Sequence, residues 1–600
     1  MRIGYKRINL TTVFFLAAVG CFIYLLFTSW LKWGNLIVDT SRELWMPLQI
    51  LEGRVIYKDL FHEYGFLPPY VLALVYKIFG VSIYSLVGAG VGITALMTIL
   101  LYKISRFFLN EAGSFLVIIT FMFVFAFGYY SGGIFNFILP YSFAATFFIL
   151  FITAALYYFL KFIYYENGKN LLGWGGFLVC AFLCRGDMSL PVWAGFVLAG
   201  EFFILKTNRK KFWQFNLYLI APFFISILCY VLFIIKMQAF VGFKESVLDL
   251  VKFGITKNDV INISWIGLDN VALNSYLIIK SFILHIIVIL LLGIGAVSIS
   301  SFFLNKKEES NFVLSLGGVI IIIFSFILAW NLLGKNFLQY RSLVLLLLIG
   351  MCLFFWRMIH GGNFKKNIAC FSLFLISFLT IARIILKTTP YGYGFYMMSL
   401  SIICYYIFFF QIVKEVVEKI RINNFSMLFF QSLLFCLFLF LVNPYWSISS
   451  YLYALKNVKV DTEMGSIFCF PEPKTLRYWE AVEYLIEHSS VEDTVVVVPE
   501  GVGINFYSGR KNPLRYYTFV PPCCERTGEE KMIDEIKSHD IDYFVIIHRP
   551  TSEYGYAFFG IDYGRKISAW INQNYEIIKQ FGPMPFTSNE FGIAILKRKS

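Results

Sequence analysis

Apolar runs close to the length of a membrane-spanning helix recur from Thr12 to Pro444, broken by short polar stretches, and then stop. Roughly 20 apolar residues in a helix cross about 30 Å of hydrocarbon, and a helix satisfies its own backbone groups there. The pattern predicts a bundle of about thirteen transmembrane helices, with 171–183 and a re-entrant stretch at 67–80 as its weakest members. After Pro444 charged residues become frequent. Short β-branched runs at 494–498, 543–547 and 592–596 alternate with helical patterns at 476–488, 529–538 and 564–574, which predicts a small α/β layer structure. The expected division is a membrane domain, residues 1–444, with a first outer loop at 32–82, and a water-facing domain, residues 445–600.

Composition narrows the class. With 58% apolar and 15% charged residues in 600, the chain is too hydrophobic for a soluble protein. Its formal charge of +14 comes from Lys and Arg scattered through short loops, which excludes the basic face of a nucleic-acid binder. Their placement sets the topology instead. Arg2, Lys6 and Arg7 precede the first span, and Lys103, Arg106, Lys161, Lys169, Lys206, Arg209, Lys210, Lys211, Lys306, Lys307, Arg357, Lys365, Lys366, Lys414, Lys419 and Arg421 fall in alternate loops. The positive-inside rule puts those loops and the N-terminus in the cytoplasm. An odd number of crossings then leaves the C-terminal domain outside, on the side of the first loop.

Of eleven cysteines, eight lie in or beside apolar spans, where Cys behaves as a small hydrophobe. Cys469, Cys523 and Cys524 are the candidates for one external disulfide. No metal-ligand spacing occurs.

The first outer loop concentrates the polar chemistry. Asp39, Arg42 and Glu43 fall at i, i+3 and i+4 and share a helix face, while Leu44, Pro47, Leu48 and Leu51 form an apolar stripe and Gly53 a stop. One reading is an interfacial anchor helix whose polar face meets water. The other is a site that handles a charged lipid headgroup. Lys58, Asp59, His62 and Glu63, gathered before Pro68-Pro69, favour the second. A further outer loop, 236–275, carries Glu245, Lys257, Asp259 and Trp265 without a clear role.

The pattern Asp39, Arg42-Glu43, Leu51-Glu52-Gly53, Tyr57-Lys58-Asp59, Phe61-His62 and Pro68-Pro69 resembles the first extracytoplasmic loop of membrane glycosyltransferases of the GT-C superfamily, particularly the protein O-mannosyltransferase and aminoarabinose transferase branch. The resemblance is best over the first 150 residues or so. Val498-Pro499-Glu500-Gly501, Tyr507-Ser508-Gly509-Arg510 and Asn512-Pro513 look like bacterial relatives of unassigned acceptor. The resemblance implies a GT-C-like fold in a bacterial cytoplasmic membrane. It also implies inverting transfer of a sugar from a polyprenyl-phosphate donor to a glycan, lipid or protein acceptor hydroxyl, with Asp39 as general base. The chain departs from it at His62-Glu63, four residues from Pro68, and at Asn136, where some relatives carry a second acid.

A hydroxyl needs a carboxylate to take its proton as it attacks, and a departing lipid phosphate needs cations. Arg42, Arg185, Arg341 and Arg383 are the candidates for the phosphate; Glu43, His62, Glu63, Asn136, Tyr391 and Tyr393 are the candidates for substrate contact. Each has a plainer alternative. Arg185 and Asp187 can close a loop as an ion pair, Arg383 can snorkel, and Tyr391, Tyr393 and Tyr396 can form an interfacial aromatic belt, the simpler reading. Pro499-Glu500-Gly501 is either punctuation after a strand or a loop that meets the acceptor. No cofactor is expected, and the pattern neither requires nor rules out a divalent metal. A transporter or flippase of lipid-linked saccharides is the main rival, but it calls for charges at mid-membrane, which are scarce here. A non-catalytic membrane scaffold is the third reading.

Overall fold

The structure, a computed structural model, describes residues 10–35, 37–207, 209, 212–248, 260–304, 309–418 and 423–599. Lys257 and Asp259, and the topogenic Arg2, Lys6, Arg7, Lys210, Lys211, Lys306, Lys307, Lys419 and Arg421, lie outside the described residues. Among the described residues ten helices, from Leu10–Ser29 to Asn424–Leu455, are long and apolar enough to cross a membrane. Three shorter apolar helices, Leu67–Phe79, Glu111–Ala126 and Lys169–Cys184, stand beside them. Burial sorts helices that composition alone cannot separate. The central part of Phe143–Tyr165 is 83% buried and forms the middle of the bundle, whereas that of Leu10–Ser29 is 6% buried and leaves an apolar surface for lipid.

The last helix runs through Pro444 to Leu455, so the composition change falls inside it. Its final turns are polar and aromatic because they pack on protein: the Ser449 hydroxyl accepts from the Tyr129 N–H at 2.9 Å, and Tyr453 donates to the Phe127 carbonyl at 2.9 Å.

The C-terminal domain begins with a hairpin, β1 (Val458–Thr462) and β2 (Gly465–Cys469). A four-stranded sheet follows, of β3 (Val495–Val498), β4 (Tyr543–Ile547), β5 (Tyr575–Phe581) and β6 (Ile593–Arg598) in the order β3-β4-β6-β5. β3 and β4 are parallel and buried along their whole length, as β-branched runs covered on both faces should be. β5 and the hairpin escape the sequence pattern, since β5 is an edge strand with mostly exposed residues and β1 alternates weakly. Cys469, Cys523 and Cys524, the candidates for an external disulfide, are all free thiols. Cys469 lies near Lys456 and Glu472, while Cys523 lies near Glu63 and Arg526.

The first loop and this domain pack at one end of the bundle. The Arg54 guanidinium donates to the carbonyls of Asn512 and Leu514 at 2.9 and 2.7 Å, and the Phe61 N–H donates to the Arg515 carbonyl at 3.0 Å. Arg526 stacks on Phe61 at 4.5 Å and pairs with Glu63 at 3.2 Å. The second outer loop joins them through Glu245 and Arg515, 2.6 Å apart.

Candidate functional site

The predicted loop helix forms, as Asp39–Leu51, and ends at Glu52 with Gly53 at φ 92°. Its environment differs from that of an anchor on a membrane surface. Leu44 is fully buried, Asp39 is 9% exposed, and the Arg42 and Glu43 side chains are 12% and 11% exposed. The helix packs on Leu67–Phe79 on one side and on Gly503–Ser508 of the C-terminal domain on another. The polar face that the anchor reading gives to water is therefore covered by protein.

Burial sets the chemistry of that face. It pushes the Asp39 carboxyl up to about 7, with Glu500 and Glu43 adding to the shift and Arg42 and Arg549 opposing it. Burial likewise raises Glu43, although Arg42 and the Phe143 N–H, 3.0 Å from its Oε2, favour its charge. Burial works against the Arg42 cation too, but Glu43 at 3.1 Å together with Tyr517, Tyr64 and Tyr141 outweighs it and keeps the guanidinium charged. Arg42 also donates to the Tyr141 carbonyl at 2.5 Å and lies over the rings of Tyr141 and Tyr64 at 5.3 and 5.6 Å.

Tyr64 links this face to the next element. Arg185 lies over the same ring at 4.7 Å, makes a bidentate pair with Asp187 at 3.0 and 2.7 Å, and donates to the Tyr393 hydroxyl at 2.6 Å. The loop-closing ion pair expected for Arg185 and Asp187 is present, and it is part of the cluster. Arg383 lies over Tyr393 at 4.9 Å and 3.9 Å from Asp187. Gly65 permits the close approach: its N–H donates to the Cys184 carbonyl at 3.0 Å, and a Cβ there would stand 1.9 Å from the Leu183 carbonyl oxygen.

Three of the four candidate arginines, Arg42, Arg185 and Arg383, thus gather around Tyr64 and Tyr393. Arg341 does not join them; its guanidinium donates to Asn274 at 3.2 Å and to the Leu386 carbonyl at 3.0 Å. Tyr393 is 1% exposed and Tyr396 fully buried, which overturns the aromatic-belt reading for both. They pack with Tyr141, Phe135 and Trp265, whereas Tyr391 is 52% exposed.

Asn136 is committed to its own backbone. Its amide donates to the Gly133 carbonyl at 2.6 Å and its oxygen accepts from the N–H groups of Ile138 and Leu139 at 2.8 and 2.9 Å, so it shapes the 133–139 turn. Glu63 is paired with Arg526. His62 is lowered to about 3, by burial first and Arg42 second, and is neutral; its Nε2 lies 3.3 Å from the Gly65 carbonyl. With Arg42, Glu43 and Pro68 it lines a narrow crevice of ≈ 10 Å³, room for about one water molecule.

The C-terminal sheet completes the site with Glu500, from the loop that the sequence offered as punctuation or acceptor contact, and with Arg549 and Tyr554, which sequence reading missed. β3 and β4 run parallel with Val498 opposite Ile546, and open parallel sheets present ligand-binding loops at their strands' carboxyl ends. Glu500 follows one strand and Arg549 the other, with Glu500 Oε2 3.5 Å from Arg549 Nε. This loop lies beside the chain just before Asp39, the Cβ position of Gly501 being 3.8 Å from the Ile37 carbonyl oxygen, and the glycine itself is needed for packing on the sheet, where a Cβ would stand 2.5 Å from Ile547 Cδ1. Tyr554, on the turn after Arg549, is raised by burial, with Glu500, Glu553 and Asp39 adding to it. The available signal was the pairing of two strand ends, one carrying Glu and the other Arg.

The fold and site together define a multi-helix membrane domain capped by an α/β domain, with a buried carboxylate and several arginines where the two meet. In overall shape the chain is similar to the archaeal oligosaccharyltransferase AglB from Archaeoglobus fulgidus, solved with an inhibitory peptide and a dolichol-phosphate: TM-score 0.49, 11% identity, 89% of this chain and 69% of that one. It is also similar to ArnT from Cupriavidus metallidurans, bound to undecaprenyl phosphate (TM-score 0.43, 11% identity, 97% of each chain) and in the apo state (0.44, 11%, 98% of each). At this identity none of them assigns a role to a residue here. No protein-family model and no curated protein matches the chain. Among the described residues no group of three or more His, Cys, Asp or Glu is placed to hold a metal ion.

Proposed function

We propose that the protein is a GT-C-type membrane glycosyltransferase that moves a sugar from a polyprenyl-phosphate donor to an extracytoplasmic acceptor hydroxyl, with inversion at the anomeric carbon. The observation that carries this reading is Asp39: a buried carboxyl, raised toward neutrality, one helical turn from Arg42, at the seam between membrane domain and C-terminal domain. A base works best with a pKa near the working pH. As the acceptor oxygen attacks C1, its proton passes to Asp39 and the bond from C1 to the phosphate oxygen breaks, so the electron pair leaves on the lipid phosphate. Arg42 and Arg185, joined through Tyr64, and Arg383 supply charge for that leaving group. An anion of this kind would have to compete with Asp187 for Arg185.

The test is single turnover by the purified protein with a radiolabelled polyprenyl-phosphate sugar and an extract of envelope acceptors. Release of polyprenyl phosphate matched by label on an acceptor, with the anomeric configuration inverted by NMR, is expected. Retention of configuration would remove Asp39 from the role of base, and movement of intact donor across a vesicle membrane without cleavage would favour a flippase.

A further inference from the structure

A second cavity, of ≈ 160 Å³, opens on the other side of the segment that leads into Asp39, and Gly34, Asn35 and Ile37 form part of its wall. Its central feature is Lys456, the first residue after the last membrane helix. This side chain is 5% exposed, yet among the described residues its ammonium has no carboxylate within ion-pair distance. Two of its three donors go to the carbonyls of Lys32 and Gly34, at 2.8 and 3.2 Å. The charge otherwise meets the rings of Tyr129 and Phe470, at 5.1 and 5.4 Å, and, beyond ion-pair distance, Cys469 and the exposed Glu472.

Burying an ammonium is costly unless an opposite charge is paired with it, and two carbonyls, two rings and a solvent-exposed carboxylate beyond ion-pair distance compensate it weakly. One donor is left, and the residue lines the cavity. A second cation stands beside it. Lys474 lines the same space, where burial and Arg549 disfavour its charge and Glu472 favours it. Glu472, at the exposed rim, is the acidic residue in the lining. The remaining wall includes Phe470 and Trp479, apolar surface of the kind that meets the C–H face of a sugar ring.

We propose that this cleft is the acceptor subsite and that it binds an anionic saccharide, the phosphate or carboxylate on Lys456 and the ring against Phe470 and Trp479. The acceptor assignment rests on the transferase reading; the ligand class rests on the cleft alone. Through Ile37 and Arg549 the cleft adjoins the Asp39 seam, so a saccharide anchored on Lys456 would extend toward the base.

The experiment is binding of glucose 1-phosphate to the purified full-length protein in lipid nanodiscs, followed by saturation-transfer NMR, beside inorganic phosphate and methyl glucoside. Glucose 1-phosphate is expected to bind about tenfold more tightly than either half-molecule, to lose about tenfold in Lys456→Met, and to keep its affinity in Lys456→Arg. Phe470→Leu, which leaves the lysine and its carbonyl partners in place, should weaken glucose 1-phosphate and leave inorganic phosphate unchanged. Equal binding of inorganic phosphate and glucose 1-phosphate would make this a bare anion site, and no binding, or binding indifferent to Lys456→Met, would also overturn the proposal. The two readings fail separately. An Asp39→Asn protein that still transfers sugar removes the catalytic assignment while binding in the cleft stands, and a wild-type-like Lys456→Met protein removes the cleft while the role of Asp39 stands.

Discussion

Asp39 owes its raised proton affinity to where it is buried rather than to what precedes or follows it in the chain. The spacing of Asp39, Arg42 and Glu43 was legible as one helix face, but a face in water would leave Asp39 an ordinary carboxylate. The C-terminal domain supplies the desolvation and two of the charges, Glu500 and Arg549, that set its proton affinity. A rate that depends on ionised Asp39 should rise about tenfold per pH unit below about 7 and level off above it. Glu500→Gln removes a negative neighbour, favours ionised Asp39 and should move that limb to lower pH; Arg549→Met should move it higher. Stopped assays across pH 5 to about 9 would show this, and a limb indifferent to both changes would separate the C-terminal loops from the chemistry. Asn136 teaches the reverse lesson. Its polar side chain beside the site is fully used by a turn, which composition cannot reveal.

At the scale of elements, strong periodic signals were readable and weak ones were not. The Asp39–Leu51 helix, its stop at Gly53, and the buried strands β3 and β4 follow from patterns that local physics enforces. The β1–β2 hairpin and edge strand β5 depend on neighbours, and the last helix passes Pro444 because its far turns are held by tertiary contacts. Close packing also predicts sensitivity at Gly65. Gly65→Ala must displace the Tyr64 turn from the Leu183 carbonyl and hence from Arg185, so transfer should fall at least about tenfold with Asp39 intact; wild-type turnover would show that the arginine cluster tolerates the shift. Arg526→Met removes the partner of Glu63, itself 33% exposed. The expected loss is about 1 kcal/mol after solvent screening, read as a lower thermal midpoint of the purified protein, and an unchanged midpoint would mean that the remaining contacts carry the docking.

For the whole molecule, the apolar runs and the change of composition gave the two-part architecture, and the contacts of Arg54, Phe61 and Glu63 put the first loop and the C-terminal domain at one end of it. What no linear pattern contained was that the site is shared, because Glu500, Arg549 and Tyr554 reach Asp39 only once both parts have folded. The orientation proposed here has this end facing out of the cytoplasm. A cysteine placed at the exposed Glu590 position should react with a membrane-impermeant maleimide in intact spheroplasts, and reaction only after lysis would put the site in the cytoplasm. The central claim is that Asp39 takes the acceptor proton. The most direct measurement is transfer by Asp39→Asn in a defined assay with a polyprenyl-phosphate sugar, alongside donor binding. The account predicts a loss of about 10²–10⁴-fold in transfer with donor binding and thermal stability near those of the wild type, and full transfer by the mutant would contradict it.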